Sequence, residues 1–357
     1  MDKATVEIYE QRAADWLARR QPGQREEAAE FGRLLGDGVR ADLGCGPGWY
    51  ADALGTPVVA FDAARSMLEL VPEYAPAALR VQGDLERLPF RGSSLAGGWG
   101  CASYVHVAAG RLPMALADLH RSVHLGGLID LRLFGGDHEG ARLPNDDFPG
   151  RFFTLWPKQR LADVVVGAGF TILDWDDRDR PKGEVLYRIR AERALALADT
   201  VAPGMRMLLC GLNPSVYSAE AGISFARPGN RFWPAALSAG IVSRDRDPDH
   251  ALLHHGIGMT NIVTRPTVAA AELTTDEYRD GMARVERLVA WLRPDVVCFI
   301  GLAGWRAVVD RNATAGLQDE ALGGRSVYLM PSTSGLNASS QVDDLTDHLR
   351  RAAAVAP

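Results

Sequence analysis

Two successive series of short apolar runs, each alternating with helix-patterned segments, occupy this chain of 357 residues. The second series begins at Met205–Cys210, includes Val296–Ile300 and ends with an amphipathic helix near Ser339–Ala354. Such alternation predicts parallel strands covered by helices, and a chain this long usually needs two hydrophobic cores. We therefore expect an α/β protein of two domains, each a mainly parallel sheet flanked by helices. The strands expected in the first domain are Val39–Leu43, Val58–Phe61, Leu79–Gln82, Trp99–Val105 and Leu128–Phe134.

The boundary between the two series is marked by Val201-Ala-Pro-Gly204. Proline and glycine interrupt any helix that leaves the first series. We expect a first domain over residues 1–195, a linker over 196–203 and a second domain over 204–357.

Several classes of protein are disfavoured by what the chain lacks. No apolar run approaches the roughly 20 residues that span a bilayer, and Met1–Arg20 lacks the apolar core of a secretory signal. We expect a cytoplasmic monomer that does not contact membranes. The four cysteines lie far apart in apolar stretches, which indicates buried thiols and no metal site; they are Cys45, Cys101, Cys210 and Cys298.

The charge balance limits how nucleic acid could bind. The chain has a formal charge of −6, and residues 204–357 hold 15 arginines, no lysine and 16 acidic residues. Proteins with many phosphate contacts usually show a basic excess. Any contact with DNA must therefore be local.

A glycine-rich turn follows the first expected strand, in Asp42-Leu-Gly44-Cys-Gly46-Pro-Gly48. Open α/β sheets bind ligands at this edge, and glycine lets a ligand touch the backbone. The G-x-G-x-G spacing disfavours a dinucleotide, which requires G-x-G-x-x-G. Asp62 and Asp84 end the next two strands, where a carboxylate can accept hydrogen bonds from ribose hydroxyls.

Residues 1 to 190 thereby resemble the class I S-adenosylmethionine-dependent methyltransferases, with a Rossmann-like fold. The resemblance implies S-adenosyl-L-methionine as cofactor, held at Gly44 and Gly46. Asp42 would lie near its methionine end, Asp62 would bind the ribose and Asp84 the adenine amino group. The alternative is that the three acids merely solvate strand ends.

The methyl acceptor stays open. Residues 100–104 carry neither the Asn/Asp-Pro-Pro-aromatic motif nor the Pro-Cys motif of DNA base methyltransferases. Tyr9, Trp16 and His106 could face a substrate, although isolated residues of this kind more often pack in the interior.

Four segments of the second half carry functional residue types. Gly211-Leu-Asn213-Pro-Ser215 is a tight turn after an apolar strand, which would hold the Asn213 amide rigidly. Ala221–Trp233 mixes aromatic, basic and amide groups, and Gly258–Pro266 contains Asn261. Met330–Asn337 places small polar residues around a single leucine, Leu336.

Together these segments resemble the mismatch-specific uracil/thymine branch of the uracil-DNA glycosylase superfamily, over residues 204–357. The resemblance implies a uracil-DNA glycosylase fold and a monofunctional enzyme of base-excision DNA repair. Its substrate would be double-stranded DNA with uracil, or also thymine or a modified pyrimidine, in a G·U or G·T mismatch. Hydrolysis of the N-glycosidic bond by this domain would need no cofactor.

The resemblance also assigns roles to residues. Asn213 would orient the attacking water, and Phe225 would stack on the extruded base. Leu336 would fill the vacated stack. The remaining positions implied in base binding are Gly211, Leu212, Ser218, Asn230 and Asn261, and those implied in the wedge and phosphate grip are Ser332, Ser334, Gly335 and Asn337.

Two positions depart from the family pattern. Ser215 stands where the mismatch-specific branch commonly has glycine and the strictly uracil-specific branch has a tyrosine that blocks the thymine methyl. Ser332 stands where other branches have histidine or asparagine, which leaves stabilisation of the departing base by that side chain in question. Arg227 and Arg231 add local charge or simply face solvent.

Two other interpretations remain open. In one, methyl transfer is the principal activity and the second domain only recruits it to nucleic acid. In the other, the first domain is an inert cofactor-binding partner. Fold and fingerprint identify a cofactor but not an acceptor.

Overall fold

The computed structural model describes residues 1–141, 143, 146–179, 185–337 and 339–355. It contains two compact units, Met1–Val166 with Phe170–Ala194, and Gly167–Gly169 with Leu195–Pro357. Each unit is a mainly parallel sheet flanked by helices. The expected fold class is confirmed.

The first unit has the strands β1 (Val39–Leu43), β2 (Val58–Asp62), β3 (Leu79–Gln82), β4 (Leu95–Cys101), β5 (Val123–Gly135), β6 (His138–Gly140), β7 (Phe153–Trp156), β8 (Phe170–Asp179) and β9 (Val185–Arg193). Its helices are α1 (Lys3–Arg19), α2 (Arg25–Leu34), α3 (Arg65–Tyr74), α4 (Leu112–Ser122) and α5 (Lys158–Gly167). The sheet has the order β3-β2-β1-β4-β5, all parallel. Beyond β4, β5 pairs with β7 in parallel and with β9 antiparallel, and β6 and β8 pair antiparallel with β7 and β9 respectively.

The fourth strand differs from the prediction of Trp99–Val105. It ends at Cys101, and Tyr104–His106 forms a 3-10 turn. Ala102 has a φ of 54°, in the left-handed region, so the chain turns there and cannot continue as a strand. The apolar pattern continued past the end of the strand because Tyr104 and Val105 are buried within the turn.

The sheet of the second unit has the order β11-β10-β12-β14-β13, parallel except for β13. Its strands are β10 (Met207–Gly211), β11 (Ile257–Asn261), β12 (Val296–Ile300), β13 (Gly316–Leu317) and β14 (Ser326–Met330). Its helices are α6 (Val216–Ala221), α7 (Phe232–Ala239), α8 (Pro248–His255), α9 (Thr275–Leu292), α10 (Ala303–Val308) and α11 (Val342–Ala353).

Helices α7 and α11 pack on one face of this sheet, where Phe232, Trp233, Leu345 and Leu349 are fully buried with the side chains of β10 and β12. The spacing Thr274-x-x-Glu277 predicts a capping box at the start of α9, and the structure contains it. Thr274 Oγ1 accepts from the Glu277 amide at 3.2 Å, and Glu277 Oε2 accepts from the Thr274 amide at 2.9 Å.

Two residues that we expected in the linker lie against β11. The Thr200 amide donates to Met259 O at 2.9 Å, and Met259 donates back to Thr200 O at 2.8 Å. Asp199 is buried and accepts a hydrogen bond from Thr260 Oγ1 at 2.6 Å. The second unit therefore starts before Gly204. None of the described helices is both long and apolar enough to cross a membrane.

Candidate functional site

Three of the four segments singled out in the second half follow strands of one sheet, and the segment 221–233 follows helix α6. Gly211 ends β10 and pairs with Asn261, which ends β11. Gly301 and Ser332 follow β12 and β14, and an ideal Cβ on Gly301 would lie 3.6 Å from Ser332 Cβ. The carboxyl edge of the parallel sheet thus carries these three segments, at the edge where such folds bind ligands.

The amide of Asn213 is held in one orientation. Its Nδ2 donates to Thr267 Oγ1 at 2.8 Å and lies within hydrogen-bond distance of Pro214 O at 3.2 Å and Arg265 O at 3.3 Å. Because backbone carbonyls only accept, the nitrogen must face them. Among the residues described, no donor to Asn213 Oδ1 is found, so this oxygen can accept from a ligand such as water.

Gly211, Asn261 and Phe225 surround one small space beside Asn213. An ideal Cβ on Gly211 would lie 2.5 Å from Asn261 Oδ1 and 3.6 Å from Phe225 Cε1. A side chain at position 211 would therefore displace the Asn261 amide. Asn261 is buried, and its side chain has no hydrogen-bond partner in the described part of the chain. An amide of this kind can recognise a polar ligand edge.

The turn that carries Phe225 is strained and firmly held. Phe225 has a φ of 57°, in the left-handed region that non-glycine residues rarely adopt. Its ring centroid lies 4.4 Å from that of Phe232. The Ala226 amide donates to Ser218 Oγ at 3.2 Å, and Trp233 Nε1 donates to Ser224 O at 2.8 Å. The ring is thus a rigid, half-buried platform.

Three predicted base-binding or specificity positions have local structural partners. Ser215 N-caps α6, its Oγ accepting from the Ser218 amide at 3.2 Å. Asn230 Oδ1 accepts from the Phe232 amide at 2.9 Å. The side chain of Leu212 packs toward Gly304, whose ideal Cβ would lie 3.0 Å from Leu212 Cδ1. Together with the Ser218 bond to Ala226, these contacts build the loops around the site.

The segment after β14 presents one apolar side chain to solvent. Leu336 is 83% exposed. Its amide donates to Ser334 Oγ at 3.3 Å, and Asn337 Nδ2 donates to Ser332 O at 2.9 Å. An ideal Cβ on Gly335 would lie 2.7 Å from Gly229 O, so glycine is required for this close approach. The polar residues predicted around Leu336 therefore shape the loop that carries it.

Sequence reasoning missed two residues that organise this site, Thr267 and Arg284, and the structural role of a third, Arg231. Thr267, directly after the segment Gly258–Pro266, holds Asn213. Arg284 is buried, pairs with Asp199 at 2.7 Å and donates to Asn261 O at 2.9 Å, fixing the end of β11. Arg231 donates to backbone carbonyls of the Leu336 loop. A buried arginine on the apolar face of α9 was the only available signal, and it did not indicate its partners.

In the first unit, a cavity of about 350 Å³ opens at the carboxyl edge of the sheet. The predicted Gly44, Gly46 and Asp62 line it, together with Tyr9, Trp16 and His106; Asp42 and Asp84 are not among the described residues of its wall. Gly44 and Gly46 have φ values of 69° and 53°, and an ideal Cβ on Gly44 would lie 2.3 Å from Ser103 Cβ. Glycine is therefore required at position 44 by both conformation and space.

The three predicted acids differ in their surroundings. Asp42 is buried, its Oδ2 has no hydrogen-bond partner in the described chain, and burial raises its pKa well above the usual range, with the nearby Asp62 charge adding to the rise. Asp62 accepts from the Gly46 amide at 2.8 Å and the Ala64 amide at 2.9 Å. Asp84 is half-exposed and pairs with the Met1 ammonium at 2.5 Å.

A polar chain lines another part of the cavity wall. His106 Nδ1 lies 2.6 Å from Phe152 O, so Nδ1 carries the proton and Nε2 accepts from Tyr9 OH at 2.9 Å. Arg151 Nη1 donates to Tyr9 OH at 2.7 Å. Burial lowers the pKa of His106 to about 4, so the imidazole is neutral near pH 7. These groups could orient a substrate hydroxyl or amine.

The cysteines are all free thiols. Cys45, Cys210 and Cys298 are buried as predicted, whereas Cys101 is partly exposed and lines the cavity. Within the described ranges, no group of three or more histidine, cysteine or acidic residues could hold a metal ion.

Comparison with known proteins finds a family model that matches part of each unit. Residues 198–354 match the model of the uracil DNA glycosylase superfamily. Residues 41–127 match the model of a methyltransferase domain. The resemblances drawn from the motifs are thereby confirmed at the level of these two families, as a fusion of a methyltransferase domain with a uracil DNA glycosylase superfamily domain.

Solved structures similar to the chain include methyltransferases. One is the 1,6-didemethyltoxoflavin-N1-methyltransferase of Burkholderia thailandensis with bound S-adenosylhomocysteine: 19% identity, 53% of this chain, 87% of that chain, TM-score 0.44. Another is an S-adenosylmethionine-dependent methyltransferase of Methanosarcina mazei: 16% identity, 44% of this chain, 93% of that chain, TM-score 0.40.

Proposed function

We propose that this chain, in which a methyltransferase domain precedes a uracil DNA glycosylase superfamily domain, excises uracil from mismatched double-stranded DNA. The observation that carries the proposal is the Asn213 amide. Its nitrogen is engaged by Thr267 Oγ1 at 2.8 Å and faces two backbone carbonyls, which leaves its oxygen available as an acceptor. That arrangement suits a residue that orients a water molecule.

The reaction would replace the bond between the base nitrogen and C1′ of deoxyribose by a bond from water to C1′. The base leaves with the bonding electron pair, and the proton released by water neutralises it. An amide cannot take up that proton, so Asn213 acts by orientation. Phe225 would support the extruded base, and the unpartnered Asn261 amide would bind its polar edge. Slow turnover is the expected consequence.

The test is excision from short labelled duplexes that differ only in one pair. We expect alkali-labile abasic sites in the strand with G·U, fewer with A·U and none with G·C. A mismatched base costs less to extrude, which gives this order. If the protein leaves every uracil duplex uncut, excision is wrong and the second domain acts only in binding.

Ser215 makes a prediction about base range. Serine at the start of α6 leaves space that a tyrosine ring would occupy, so thymine or modified pyrimidines opposite guanine would be admitted. Ser215→Tyr should abolish their release while largely retaining that of uracil. Ser215→Ala is the matched control, which leaves the space open. The prediction is wrong if the wild-type protein already rejects thymine and every modified base tested.

A second prediction concerns Thr267, because its hydroxyl holds the Asn213 amide in its orientation. Thr267→Val keeps the shape but removes the acceptor at 2.8 Å, so the amide can rotate. Uracil release should slow by about tenfold or more, with duplex affinity unchanged and Thr267→Ser restoring the rate. In an Asn213→Ala background the valine should add nothing. An equal additional loss there would show that Thr267 acts independently of Asn213.

We propose further that the first unit binds S-adenosyl-L-methionine. The residues present fit this group: behind the cavity wall, Asp42 Oδ2 is buried without a hydrogen-bond partner among the described residues, Gly44 leaves the backbone bare, and each oxygen of Asp62 retains capacity to accept. Asp42 would bind the methionine end and Asp62 the ribose hydroxyls. The cofactor, when bound, supplies an electrophilic methyl group. Asp84 would reach adenine only by giving up part of its pairing with Met1.

The alternative function, methyl transfer recruited by a binding module, is favoured by one observation. The cavity wall carries the hydrogen-bonded chain of Arg151, Tyr9 and His106 beyond the glycine-rich turn. Labelled cofactor incubated with total cell extract, with the Tyr9→Phe variant as control, would reveal the acceptor. Transfer without any uracil excision would favour this alternative.

A further inference from the structure

The Leu336 loop is fastened to the segment that precedes α7. The Arg231 amide donates to Thr333 O at 2.9 Å, and Arg231 Nη2 donates to Ser334 O at 2.8 Å. The same guanidinium also bonds Asn337 O and Ser340 O. One side chain therefore gathers carbonyls from before and after Leu336.

This arrangement is specific to the geometry of arginine. A planar guanidinium presents five donors in a fixed fork, so it can satisfy several carbonyls at once. A lysine ammonium is a single centre and cannot span the same set. In the described part of the chain, no carboxylate pairs with Arg231. Its charge is therefore directed at the loop alone.

We propose that Arg231 is a positioning residue that preorganises the Leu336 loop for insertion into duplex DNA. This inference rests on the proposed excision of uracil and goes beyond it. The loop carbonyls are held by Arg231, while the Leu336 side chain is 83% exposed and its amide donates to Ser334 Oγ at 3.3 Å within the same loop. Without the hydrogen bonds from Arg231, which we call the clamp, the loop would sample many conformations. Ordering the loop would then cost conformational entropy during insertion into DNA.

The inference separates two substrates. Uracil in duplex DNA must be extruded while a wedge fills the gap, whereas uracil in a single strand needs no wedge. Loss of the clamp should therefore impair duplex excision and leave single-strand excision nearly intact. A general weakening of the fold would impair both.

The experiment measures single-turnover uracil release from a G·U duplex and from the same uracil strand alone, with the full chain. Arg231→Lys, which keeps the charge and removes the clamp, should slow the duplex reaction by about tenfold or more and barely change the single-strand reaction. Arg227→Ala is the matched control: this exposed residue lies four positions away, and its loss removes charge but not the clamp. It should affect both substrates alike.

A double-mutant cycle that combines Arg231→Lys with Leu336→Ala completes the test. If Arg231 acts through Leu336, then Leu336→Ala and Arg231→Lys together should cost little more than either alone. Equal slowing of both substrates by Arg231→Lys, or full additivity with Leu336→Ala, would overturn the inference. A wild-type protein that releases uracil from neither substrate would instead refute the proposed function itself.

Discussion

An Asn213→Ala variant is expected to release no measurable uracil from a G·U duplex while binding that duplex almost as tightly as the wild-type protein. Asn213 provides an acceptor to orient water and makes its own hydrogen bonds within the protein, to Thr267 Oγ1 among others. Alanine removes the orientation but leaves the wedge and the stacking platform. Misplacing a reacting group costs about a hundredfold or more in rate.

The matched control is Asn312→Ala, which removes an exposed amide in the same unit. It should cleave and bind as wild type does. Gel shifts run in parallel should show Leu336→Ala losing affinity where Asn213→Ala does not, since the wedge offsets the cost of extruding the base. Cleavage by Asn213→Ala at the wild-type rate would remove Asn213 from the mechanism.

An Asp62→Ala variant is expected to bind S-adenosyl-L-methionine about tenfold to a hundredfold more weakly. Hydrogen bonds from hydroxyls to a carboxylate contribute roughly 1.5–3 kcal/mol each. Asp62 also accepts from the Gly46 amide at 2.8 Å, so its loss loosens the glycine-rich turn. Calorimetry on the full chain would measure the change.

The control for this variant is Asp177→Ala, which removes an exposed carboxylate paired with Lys158 at 2.7 Å on β8. It lies outside the described cavity wall and should not change the affinity. If Asp62→Ala binds the cofactor as tightly as the wild-type protein, Asp62 does not bind the ribose hydroxyls. Failure of the wild-type protein to bind would contradict the cofactor assignment as a whole.

The elements that followed from sequence are those with local determinants. The strands Val39–Leu43 and Val296–Ile300 have the predicted bounds. The first is followed directly by a glycine, and the second begins shortly after a proline, so each boundary has a local signal in the sequence. The Thr274 capping box fixed the start of α9 for the same reason. The predicted end of β4 was wrong because the chain turns at Ala102, which has a left-handed backbone conformation. An alanine gives no indication of such a conformation in the sequence.

The site itself was predictable in its types of residue but not in its supports. Motifs indicated Asn213, Phe225, Asn261 and Leu336. The partner of the Asn213 amide lies 54 positions along the chain, and those of the Arg231 guanidinium lie 103 to 109 positions along it. Contacts of this range depend on the sheet order, which a motif does not specify.

The central claim is tested most directly by detecting the base itself. Wild-type protein is incubated with a G·U duplex, and free uracil is measured by mass spectrometry while the strand is examined for an abasic site. We expect one free uracil for each abasic site and no products with the Asn213→Ala variant. The account would be contradicted if the wild-type protein binds the duplex in gel shifts but produces neither free uracil nor abasic sites. The second domain would then bind DNA without excising uracil.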